Sequence, residues 1–81
     1  MKATKITNGS GKSSIIVEAV IPGRKFLSST EPHPLSCRQF NPDGTAASEW
    51  CPLTEMRAKQ TLAEALRLGM KIETIEIQIT L

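Results

Sequence analysis

The hydrophobic period of this chain changes twice. Short alternating runs fill most of the first fifty residues, a helical period of 3.6 follows from Pro52 to Gly69, and strict alternation then returns to the last residue. From Lys2 to Thr7, Thr4 and Ile6 lie on one side and Ala3, Lys5 and Thr7 on the other, which predicts a short strand. "SIIVEAVI", beginning at Ser14, places Ile15, Val17, Ala19 and Ile21 on one face and Ser14, Ile16, Glu18 and Val20 on the other. Apolar residues on both sides predict a strand covered on both faces. Pro22-Gly23 suits a type II turn and predicts that "RKFLSST" returns as the third strand of a meander.

The middle segment, Glu31 to Pro52, has a different character. "NPDG" at Asn41 to Gly44 is a turn signal, because Pro42 presets φ and Gly44 suits the exit. "LSCRQF" reads as a short fourth strand, and Pro32 and Pro34 before it predict a place at the sheet edge. With Cys51 as N-cap, Pro52 falls at the first helical position and Glu55 in the first turn. On the helical wheel Met56, Ala58, Leu62, Ala63, Ala65, Leu66 and Met70 form a broad apolar arc, with Arg57, Gln60, Glu64 and Arg67 opposite. Gly69 stands where a left-handed residue would end the helix. In "KIETIEIQITL", Ile75, Ile77, Ile79 and Leu81 alternate with Thr74, Glu76, Gln78 and Thr80, which predicts a strand paired inside the sheet or at a subunit interface. The pattern amounts to one α+β domain spanning residues 1–81. It is an antiparallel sheet of three to five strands in the order β-β-β-(β)-α-β, with one amphipathic helix packed on one face.

Composition narrows the function classes. A hydrophobic fraction of 40% with 22% charged residues belongs to a folded chain. Only Phe26, Phe40 and Trp50 are aromatic, so the core is aliphatic and few rings are left to stack on bases or sugars. No apolar run approaches a membrane span and the N-terminal stretch lacks the apolar segment of a signal peptide, which predicts a cytoplasmic protein without a membrane partner. Cys37 and Cys51 are then expected as free thiols, with a pairing between them left open.

"NGSGKSS", Asn8 to Ser14, resembles the end of a phosphate-binding loop. That loop needs a glycine five positions before Gly11, where Ile6 stands, and a helix after it, where a β-branched run follows. Asn8-Gly9 between alternating runs predicts a hairpin turn instead. A metal site would draw on His33, Cys37 and Cys51 with Asp43 or Glu49, but the spacing lacks the close pairs of a zinc site. A nucleophilic pair of Cys37 or Cys51 with His33 and Asp43 finds no support in the spacing either. The sequence therefore predicts neither an enzyme nor a cofactor or metal.

Charge is unevenly spread. Residues 1–38 carry six basic side chains against two acidic ones, a balance of +4, and the remainder carries four against six, a balance of −2. In size and layout the chain resembles the small proteins encoded by phages and mobile elements, among which are anti-CRISPR inhibitors that block nucleoprotein complexes. The resemblance covers the whole chain but rests on no diagnostic residue, so no site is carried over from it. It implies a small non-enzymatic module that binds a larger protein or nucleoprotein complex. Trp50, just before the helix and expected to anchor it to the sheet, is the first candidate contact, joined by Leu53 on the helix's outer side near Leu68 and by Arg57. The alternative is a nucleic-acid-binding module that uses the basic meander through Lys5, Lys12, Arg24, Lys25 and Arg38. A homodimer through the last strand is a further option.

Overall fold

The computed structural model describes residues 1–21 and 32–78, and its chain order is β1 (Lys2–Thr7), β2 (Ser13–Val17), β3 (Leu35–Phe40), β4 (Cys51–Leu53), α1 (Glu55–Arg67) and β5 (Lys71–Glu76). All five strands join one sheet in the order β4-β3-β2-β1-β5, and every neighbouring pair is antiparallel. Among the described residues the architecture is thus an α+β sheet with a single helix. The strand expected at Arg24 to Thr30 lies outside the described residues.

Two matched turns close one end of the sheet. In the β1–β2 hairpin the Gly11 N–H donates to the Asn8 carbonyl at 3.1 Å and the Asn8 N–H to the Lys12 carbonyl at 2.9 Å. After β3, the Gly44 N–H donates to the Asn41 carbonyl at 2.9 Å and the Asn41 N–H to the Thr45 carbonyl at 2.8 Å. Gly11 and Gly44 share a φ of 89°, a left-handed conformation that side chains resist. Side chains complete both turns: Asn8 Oδ1 accepts from the Ser10 and Lys12 N–H groups, and Asp43 Oδ1 from the Thr45 N–H. The turns also touch, since a Cβ on Gly11 would lie 3.2 Å from Pro42 Cβ.

"LSCRQF" is a strand, but an interior one. It pairs with β2 on one side and with β4 on the other. Pro32 and Pro34 precede its first residue, so neither removes a ladder bond. The edge is β4, where Pro52 sits opposite Ser36. Ala47 donates to the Gln39 carbonyl; by strand alternation, the backbone groups of Leu35 and Cys37 also turn toward β4, leaving Pro52's nitrogen outward, where no N–H is needed.

Forming β4 moves the helix start three residues beyond the expected Cys51 cap. The N-cap is Thr54, in extended conformation, whose side chain accepts from the Arg57 N–H at 3.1 Å. At the other end Met70 donates to the Ala65 carbonyl and Gly69, at φ 70°, to the Leu66 carbonyl, the paired bonds of a Schellman motif.

The sheet is covered on both faces. Ile6, Ile16 and Leu35 pack with Ala58 and Ala65 of α1, joined by half-buried Cys37, Leu53, Leu62, Met70 and Ile72. On the opposite face Ala3, Ile15, Val17 and Ile21 form a second cluster, flanked by Phe40, Trp50, Ile75 and Ile77. The two apolar faces of "SIIVEAVI" account for both layers, although β2 itself ends at Val17. Buried Ser36 donates its hydroxyl to the Ala19 carbonyl at 2.7 Å, so its polar atom is satisfied.

Candidate functional site

The expected protein contacts do not share a surface. Leu53, in β4 and not in the helix, packs into the core beneath α1. Trp50 lies on the opposite face, so it does not anchor the helix to the sheet. Its ring instead lies 5.9 Å from the Arg38 guanidinium carbon, which is also 5.7 Å from the Phe40 ring. Arg38 Nε further donates to the Ser48 carbonyl at 2.8 Å. Arg57 is exposed on α1.

The basic residues are no better gathered. Lys5 and Arg38 lie on the same face, in register through Ile15. Lys5 is also directly opposite Glu73, and Arg38 is occupied by two rings and a carbonyl. Lys12 is exposed at the turn end of the sheet. Arg24 and Lys25 lie outside the described residues.

The chemical candidates also fall apart. Among the described residues no group of three His, Cys, Asp or Glu side chains could hold a metal ion. Asp43 is spent inside its turn, where hydrogen bonds from the Thr45 hydroxyl and N–H hold its carboxyl below the usual aspartate value. Burial, and secondarily the neighbouring Cys51, raise the Cys37 thiol, which is the opposite of what activates a nucleophile. Among the described residues no helix is long and apolar enough to cross a membrane.

What the structure does gather is apolar surface beside an open strand edge. The sheet covers less of α1 than the apolar arc suggests: only Ala58 and Ala65 are buried, and Leu62 is half-buried. Met56 is 69% exposed and Leu66 72%. Together with Ala63 they run along one flank at spacings of seven and three residues. Leu66 lies on the side of α1 that carries Lys59 and Leu62, which form one wall of a groove whose other wall includes Thr74 of β5; Met56, in the first turn after β4, starts at the opposite edge of the sheet from β5. Exposed Leu68 follows at the helix end.

Among the described residues β5 pairs only with β1, so its outer side is open. The Ile77 N–H donates to the Met1 carbonyl at 2.9 Å; alternation along the strand then turns the backbone groups of Ile72, Thr74 and Glu76 away from β1. The last strand is paired in the sheet, through β1, and among the described residues it stands at the sheet's end, which leaves its outer side for the subunit-interface alternative. Residues 79–81, the end of that expected strand, lie outside the described residues. Sequence reasoning missed the combination because a wheel shows which helix positions are apolar, not how many of them a sheet will cover.

Compared with protein-family models, with curated protein sequences and with solved structures, the chain matches none.

Proposed function

We propose that this chain is a non-enzymatic protein-binding module that acts by occupying a surface of a larger protein or nucleoprotein complex, in the manner of a phage or mobile-element inhibitor. The observation that carries the reading is exposed Leu66, near the end of α1 that leads into β5, together with the outer edge of β5, which pairs with no other strand among the described residues. An open edge offers main-chain donors and acceptors to an extended segment, and an adjacent apolar stripe offers a seat for its side chains. The partner is accordingly a protein that adds a strand to β5 and packs an apolar residue against Leu66. The nucleic-acid reading has less behind it, because Lys5 faces Glu73 and Arg38 is already held.

A tagged pull-down from bacterial lysate, with and without nuclease, tests the proposal when run beside Leu66→Glu and Thr74→Pro. The first places a charge on the stripe, and the second removes an outward N–H without touching the β1 ladder. The expected result is a discrete protein that survives nuclease and is lost from both variants while their thermal melts stay cooperative. Capture of nucleic acid alone, or equal capture by wild type and variants, would sink the proposal.

A further inference from the structure

Cys37 and Cys51 are directly opposed residues of the β3–β4 ladder. Because the backbone groups of Cys37 turn toward β4, this is a hydrogen-bonded pair, whose Cα atoms lie about 5.5 Å apart, within the range of about 4.4 to 6.8 Å that a disulfide spans. Opposed side chains also leave the sheet on the same face, here the one that carries α1. Neither thiol is bonded to the other; Cys37 is half-buried against the helix-side core and Cys51 is exposed. The Cys51 Sγ donates to the Glu49 carbonyl at 3.4 Å.

We propose that Cys37 and Cys51 form a reversible disulfide site whose reaction partner is a low-molecular-weight disulfide such as oxidised glutathione. Exposure sets the order of events. The Cys51 thiol loses its proton and the thiolate attacks one glutathione sulfur; the glutathione S–S bond breaks, and one glutathione leaves as a thiolate that takes up a proton. The Cys37 thiol then gives up its proton and its sulfur attacks Cys51 Sγ; the Cys51–glutathione S–S bond breaks, and the second glutathione leaves as a thiolate that takes up a proton. Two protein thiols are oxidised, one glutathione disulfide is reduced, and no further reactant is needed. Cys37 takes the second step through proximity, since the attacked sulfur is already on its cross-strand neighbour, and this offsets the burial that disfavours its thiolate. The bond would tie the three-residue edge strand β4, and through it the Thr54 cap of α1, to the interior of the sheet.

Incubation with oxidised glutathione, followed by alkylation and intact-mass measurement, reads the site directly. Wild type is expected to end as a monomer lighter by two hydrogens, with no alkylated cysteine, and to return to the dithiol with dithiothreitol. Its melting temperature should rise by on the order of 10 °C, as for a loop of about 15 residues closed by a disulfide in a small domain. Cys37→Ser should instead stop at the mixed disulfide on Cys51. A wild type that keeps a glutathione adduct, that forms disulfide-linked dimers, or that leaves both cysteines open to alkylation would overturn the proposal.

Discussion

The two glycines at φ 89° permit a paired experiment, because their turns are alike and their surroundings are not. Replacing either by alanine forces an L side chain into the left-handed region at a cost of about 1 to 2 kcal/mol. At Gly44 nothing lies within 4 Å of the added Cβ, so that cost is the whole effect. At Gly11 the new atom would meet Pro42 Cβ at 3.2 Å and Cγ at 3.3 Å, and one turn must shift against the other. Overpacking at a surface contact belongs at the low end of its range, about 1 kcal/mol. Gly11→Ala should therefore cost about 2 to 3 kcal/mol, against total stability of roughly 4 to 12 kcal/mol for a chain of this length. Urea denaturation measures the difference. With a slope of about 1 kcal/mol/M, the midpoint should fall about 1 M further for Gly11→Ala than for Gly44→Ala, at unchanged slope. Equal midpoints would mean that the two turns do not press on each other in solution.

Other consequences are equally open to measurement. Thr54→Ala removes the N-cap acceptor and should lower stability by about 1 kcal/mol, while Thr54→Ser, which keeps the oxygen, should retain most of it in the same denaturation assay. Ser36→Ala deletes the bond to the Ala19 carbonyl inside the sheet and is expected to cost about 1 kcal/mol; an unchanged midpoint would show that the hydroxyl contributes no net stability. Asp43 is held as a carboxylate by Thr45 with a lowered folded-state pKa, so its contribution is complete above the ordinary aspartate range and is lost as pH falls through the lowered value. Carboxyl titration followed by NMR should place Asp43 below the ordinary aspartate value, and Thr45→Val, which removes the hydroxyl donor, should move it back up.

Local chemistry was the legible part of this chain. Alternation from Lys2 to Thr7 marked β1 to the residue, the asparagine-glycine and asparagine-proline turns announced themselves, and Gly69 marked the end of α1. Non-local pairing decided the rest. A strand of three residues centred on proline carries almost no signal of its own, and missing β4 started the helix too early and placed Leu53 on it, while Pro32 and Pro34 drew β3 to an edge although they precede its first residue. The same omission misplaced Trp50. Its face follows from its distance to Cys51 and Leu53, whose side chains point toward the helix. The exposed apolar positions of α1 were hidden for a different reason. Ala58 and Ala65 meet the sheet while Met56 and Leu66, equally apolar, do not, and that depends on where the helix lies over the strands.

Amide hydrogen exchange on the captured complex would test the binding surface most directly. The amides of Ile72, Thr74 and Glu76 point away from β1, so in the free chain they should exchange faster than those of Glu73 and Ile75. Strand addition to β5 predicts that these three become protected on binding, together with a change at Leu66. Protection that instead appears around Lys5, Arg38 and Trp50, with the β5 edge still exchanging freely, would contradict the account.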